Sequence, residues 1–93
     1  MKSKLPNFRG KAVSVVLTGD DEHRLLFDPL FEMQGGRLFL IGTIPRHGST
    51  KDWVAQLPAG VAWDMVQEYI VFDSVEHYAR RLAIYEGKRK RKA

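Results

Sequence analysis

Residues 24–44 read RLLFDPLFEMQGGRLFLIGTI, and this stretch decides the fold class. Two apolar-rich segments flank Gly35-Gly36, a two-residue connection suited to positive φ and therefore to a type I′ or II′ turn. The spacing predicts a β-hairpin whose register can be written down. If Gln34 pairs with Arg37, then Met33 faces Leu38, Phe31 faces Leu40, Pro29 faces Gly42 and Phe27 faces Ile44. Those residues are apolar or small and share one side, as a buried face requires. The other side pairs Glu32 with Phe39, Leu30 with Ile41 and Asp28 with Thr43. Its apolar centre, Leu30, Phe39 and Ile41, is a candidate interface for a helix, a partner protein or a second copy. Pro29 has no N–H to give a ladder, so its strand is an edge there or is bulged.

Outward from the hairpin, residues 11–17 (KAVSVVL) read as a strand, with Val13, Val15 and Leu17 on one face at period two. Residues 18–22 collect turn formers and charges and mark a loop. After Pro45, residues 46–51 form a polar loop. Ser49 and Asp52 have the spacing to cap a short helix to about residue 57, stopped by Pro58-Ala59-Gly60. Residues 61–72 read as extended, with Asp64 marking a bulge or break. A helix follows, with Asp73 and Glu76 at capping-box spacing and Ser74 as a competing cap. Val75, Tyr78, Ala79, Leu82 and Tyr85 form its apolar stripe, and Glu76, His77, Arg80 and Arg81 lie opposite. Glu76 and Arg80 are spaced for an i, i+4 ion pair, and Gly87 is a natural stop. The expected class is α+β, a small antiparallel sheet around the Gly35-Gly36 hairpin with one short helix and a C-terminal helix, in the order β-β-β-α-β-α. The expected division is an N-terminal arm at 1–10, one domain at 11–87 and a basic disordered tail at 88–93.

Composition narrows the classes of function. The chain has 93 residues, 44% hydrophobic and 28% charged, a globular balance with room for one core. It has no cysteine, which excludes disulfide scaffolds, thiolate metal sites and cysteine nucleophiles. No apolar stretch approaches the roughly 18 residues of a membrane helix. The first ten residues carry lysines but no apolar run, so no secretory leader is expected, and the expected location is the cytoplasm without a membrane partner.

Charge is informative through its placement. The formal net charge is +4. Lys88, Arg89, Lys90, Arg91 and Lys92, together with Lys2 and Lys4, supply seven positives, which leaves eight basic against eleven acidic side chains over residues 5–87. The basic excess therefore belongs to the ends. Consecutive Lys/Arg residues after a helix can contact phosphates and release counterions, and Arg80 and Arg81 extend that character onto the helix. A second, weaker anion-binding candidate is Arg46, Gly48, Ser49 and Lys51, at the start of the expected short helix. It lacks the glycine and Gly-Lys-Ser/Thr order of a P-loop.

No residue set points to catalysis or to a metal. His23, His47 and His77 lie in different segments without ligand spacing. Ser49 is close to His47 but has no nucleophile elbow around it. Asp20, Asp21 and Glu22 share a solvated loop. Neither an enzyme nor a cofactor is expected. The first expectation for function is a small binding module that contacts RNA or DNA phosphates, without sequence preference, through Arg80, Arg81 and residues 88–92. The alternative is a protein-interaction or homo-oligomeric assembly module using Leu30, Phe39 and Ile41.

Overall fold

Gly35 and Gly36 take φ values of 57° and 79°, the pair of left-handed residues that a type I′ turn demands. The computed structural model describes residues 5–46 and 54–92, the last five of them by backbone alone. The elements are β1 (Ala12–Leu17), β2 (His23–Gln34), β3 (Arg37–Thr43), β4 (Pro58–Ala62), a 3-10 turn (Trp63–Met65), β5 (Val66–Phe72) and α1 (Val75–Lys92). The strands form one antiparallel sheet in the order β4-β3-β2-β1-β5. The class is α+β.

The hairpin holds the expected register from Gln34↔Arg37 through Met33↔Leu38, Phe31↔Leu40 and Glu32↔Phe39 to Leu30↔Ile41. Beyond that point the pairing shifts, and Phe27 lies opposite Thr43 rather than Ile44. One extra residue on β2 makes a bulge, the second of the two outcomes that Pro29 allowed. Asp28 occupies it at a φ of 52°, a region aspartate tolerates better than most residues. The bulge is held from outside the hairpin: the Asp28 N–H donates to the Lys11 carbonyl at 2.7 Å, and Asp28 Oδ1 accepts from the Gly10 N–H at 2.7 Å. Gly42 completes it, since a Cβ there would lie 2.9 Å from the Phe27 carbonyl oxygen.

The sheet curls. β4 and β5 sit on opposite edges, yet only the three residues Trp63–Met65 join them. Five flat strands would hold their outer members roughly 19 Å apart, at about 4.8 Å per step. A 3-10 turn rises only about 2 Å per residue, so the edges must converge at this end. Inside the curl lies the core: Phe8, Val13, Val15, Leu26, Leu40 and Val61, with Phe31, Trp63 and Val66 packed against it. Phe8 seals it, its ring centroid 5.3 Å from Tyr69, 6.1 Å from Phe31 and 6.4 Å from Trp63. β1 is an interior strand, between β2 and β5, and is buried from Ala12 to Val16, not only along Val13 and Val15. The expected buried face ends before the hairpin tip, where Met33 is exposed.

Three sequence expectations are corrected. Pro58-Ala59-Gly60 is not a helix stop but the start of β4, paired Thr43↔Pro58 through Phe39↔Ala62 with β3. Proline is tolerated there because it opens an edge strand, where its missing N–H costs nothing. Residues 61–72 are not one extended run: Asp64 sits in the 3-10 turn, the break its position suggested. Of the expected short helix, residues 49–53 lie outside the described residues, and its end is a turn in which the Leu57 N–H donates to the Val54 carbonyl. The order is accordingly β-β-β-β-β-α.

A further correction concerns the C-terminus: α1 does not stop at Gly87 but continues to Lys92. Glycine ends a helix by adopting a left-handed conformation, and Gly87 does not adopt one. A helical glycine costs only about 1 kcal/mol relative to alanine. The Lys and Arg residues that follow are good helix formers and favour the negative end of the helix dipole.

Candidate nucleic-acid interface

Helix α1 is positioned by its first turn. Ser74, rather than Asp73, is the cap: its Oγ accepts from the His77 N–H at 3.0 Å. His77 returns the bond, its Nδ1 accepting from the Asp73 N–H at 3.0 Å. Phe72, the last residue of β5, packs edge-on against Tyr78 and His77 at centroid distances of 5.1 and 5.6 Å. Lys11 reaches Asp73 at 3.5 Å, a further tie between sheet and cap. These contacts fix the direction in which the helix leaves the sheet.

Beyond Leu82 the helix has left the body, and residues 83–87 are all exposed. Tyr85, expected on the packed stripe, is exposed for this reason. The 18 residues of α1 are about 27 Å long at 1.5 Å per residue. The molecule is correspondingly elongated, 48 × 30 × 26 Å. Arg80 and Arg81 are exposed on the side opposite Val75, Tyr78, Ala79 and Leu82. Among the described residues neither arginine makes an ion pair, and the i, i+4 pair expected between Glu76 and Arg80 is not formed. At 3.6 residues per turn, positions 80, 81, 84, 88 and 91 fall along one face of the helix. Arg80, Arg81, Lys88 and Arg91 therefore share a face spanning about 17 Å, with Ile84 among them. Arg89, Lys90 and Lys92 lie around the same final turns.

Of the weaker anion site, Arg46 is exposed just past β3, while Gly48, Ser49 and Lys51 lie outside the described residues. The structure does not extend the case for it.

The outer face of the hairpin keeps its apolar centre. Leu30 is 57% exposed, opposite a half-buried Ile41. Beside them a shallow groove of about 280 Å³ is lined by Gln34, Phe39, Ile41, Pro58, Ala59 and Gly60. Gly60 keeps it open, since a Cβ there would press to 3.2 Å from Ile41 Cγ1. Arg37 borders this face but is committed elsewhere. Its Nε and Nη2 donate to the Asp64 carboxylate at 2.9–3.2 Å, and its guanidinium carbon lies 5.9 Å from the Phe39 ring centre. A bidentate clamp between β3 and the 3-10 turn leaves little of Arg37 for a base or a phosphate.

The hydrogen bonds from Arg37 hold the Asp64 carboxyl below the usual carboxylate range, and the same bonds raise the arginine. A depressed native pKa gives stability that is present above the unfolded value of about 4 and lost as pH falls through the native one. Asp64→Asn is therefore expected to lower the melting temperature slightly at pH 7, and the difference is expected to shrink as the pH falls below about 4. Paired thermal melts across this pH range check this.

Sequence reasoning missed one polar pair. Ser14 Oγ lies 3.1 Å from His23 Nδ1 across β1 and β2. Ser14 is only 6% exposed and so out of reach of a substrate. The contact gives a buried hydroxyl its partner, and no buried side-chain polar atom among the described residues is left unsatisfied. No group of three or more His, Asp or Glu able to hold a metal occurs among the described residues. Their one helix is not long and apolar enough to cross a membrane. Most aromatic rings are consumed by packing against one another, Phe31 against Trp63 at 4.9 Å for example, and are not free to stack bases.

Compared with protein-family models, curated proteins and solved structures, the chain matches none.

Proposed function

We propose that this protein is a small non-enzymatic binding module that contacts RNA or DNA phosphates through α1, with little sequence preference. The observation that carries the reading is the continuity of α1 through Gly87 to Lys92. It joins Arg80 and Arg81, neither ion-paired among the described residues, to five consecutive Lys/Arg residues on one element projecting from an otherwise acidic body. A row of helix-borne cations engages phosphates and reads charge rather than base edges.

The test is fluorescence anisotropy of the full chain with labelled single-stranded RNA and duplex DNA across a salt series. Engaging about four phosphates gives a log–log slope near −3.6, or roughly 100-fold weaker binding between about 50 and 200 mM salt. Arg80→Glu/Arg81→Glu is expected to cost at least about tenfold in affinity at low salt, because it removes two cations and adds two repelling charges. Equal binding by this variant would remove the helix face from the site.

A second reading has an observation of its own. The exposed Leu30 and the groove along Phe39 and Ile41 form an apolar surface that a partner protein could cover. Under that reading the outer hairpin face is the site and α1 is a solubilising appendage.

A further inference from the structure

Among the described residues, both edges of the sheet lack a neighbour. β4 hydrogen-bonds only to β3, and β5 only to β1. The convergence at Trp63–Met65 does not pair them: among the described residues the ladder has no β4–β5 step.

The two edges are not equivalent. β4 is five residues, begins with Pro58 and has Gly60 at its centre, devices that blunt an edge. β5 is the seven-residue run VQEYIVF, with neither proline, glycine nor lysine and with Glu68 as its one charge. Tyr69, Ile70 and Val71 are consecutive and 43%, 43% and 42% exposed, so although Tyr69 packs against Phe8, side chains from both faces of this strand reach solvent beside its outer edge. A long, apolar, unprotected edge offers its free N–H and C=O groups to another extended strand.

We infer that β5 is a self-association edge, pairing antiparallel with β5 of a second copy to join two sheets across a two-fold axis. The occupant is a second copy because the strand is self-complementary. An antiparallel pairing centred on Tyr69 sets Glu68 opposite Ile70, and one centred on Ile70 sets Glu68 opposite Phe72. Neither opposes like charges, and both set β-branched and aromatic residues against each other, the pairs that stabilise a ladder. The geometry also separates the cations. α1 follows the Phe72 end of β5, so antiparallel pairing starts the two helices toward opposite ends of the joint, roughly 14–20 Å apart along the strands in the two registers. One short strand pair is a small interface, so the expected dimer is weak, with a dissociation constant of about 1–100 µM.

The test is sedimentation velocity of the full chain from about 1 µM to about 300 µM, with amide exchange measured at both ends of that range. The expected result is a concentration-dependent dimer whose added protection falls within residues 66–72. Ile70→Lys and Val71→Lys, both at exposed positions, are expected to weaken association at least about tenfold while keeping the native circular dichroism. A monomer throughout the range would overturn the inference. So would a dimer that both lysine variants leave intact, or one that Phe39→Asp abolishes and the lysine variants do not. Protection of residues 66–72 appearing only with a different protein would assign the edge to that partner and overturn self-pairing.

Discussion

A chain ending at Gly87 is expected to lose nearly all affinity for polyanions: at least about 30-fold at roughly 50 mM salt, with the salt slope falling from about −3.6 toward about −1. Ending there removes Lys88, Arg89, Lys90, Arg91 and Lys92 and takes the formal net charge from +4 to −1. The loss therefore comes from two sources. Direct phosphate contacts disappear, and the remaining body is left with a weak repulsion toward nucleic acid. The fold does not depend on the deleted residues, because α1 is anchored through the Ser74 cap and the Phe72–Tyr78 contact at its other end. The shortened chain is expected to melt within a few degrees of the full one. Anisotropy titrations at several salt concentrations, with a thermal melt of each chain, check both halves of this statement.

The largest effect on stability is expected from Leu40→Ala. Leu40 is 0% exposed and sits in the core with Val13, Val15, Leu26 and Val61, opposite Phe31 on the hairpin and Val61 on β4. Removing its isobutyl group loses the transfer free energy and leaves a cavity, together about 2–5 kcal/mol. The site collapses poorly, since the strands on either side are fixed by their own ladders and the Asp28 bulge is clamped to Lys11 and Gly10. For a domain of this size the melting temperature falls by roughly 10–30 °C. Leu30→Ala is the matched control, because Leu30 is on the exposed face of the same hairpin, and its effect is expected to stay within about 0.5 kcal/mol. Melting curves of the two variants beside the native chain separate core from surface. Equal losses would contradict the assignment of the hairpin faces.

The hairpin was legible in the sequence because two independent signals coincide. Gly35-Gly36 permits one kind of turn, and the period-two pattern on either side permits one register. The bulge was half legible: Pro29 announced an interruption, but that Asp28 would fill it depends on Lys11 and Gly10, remote in sequence. β4 was not legible. PAGVA has the composition of a stop, and it is a strand because the open edge of β3 and the turn that ends at Leu57 hold it there. Ser14 and His23 come together only once β1 and β2 are in register, which no local pattern specifies.

The basic residues were legible as charge but not as structure. Reading Gly87 as a stop separates Arg80 and Arg81 from residues 88–92, whereas α1 continues through Gly87 and carries all of them on one helix. The glycine carries no signal that distinguishes the two outcomes; its φ decides. That distinction changes the character of the proposed site. A flexible run of cations finds phosphates one at a time, but a helix presents them pre-arranged and loses less conformational entropy on binding.

Gly87→Pro isolates this point, because it keeps every charge while proline breaks a helix interior at a cost of about 3 kcal/mol. Position 87 touches nothing that would disturb the body, since no atom lies within 4 Å of where a Cβ would be. The decisive measurement is a salt-titrated anisotropy comparison of the native chain and Gly87→Pro on the same RNA and DNA. The account predicts salt-steep binding by the native chain and about tenfold weaker binding by the variant at equal salt. No binding by the native chain, or equal binding by the two, would contradict it.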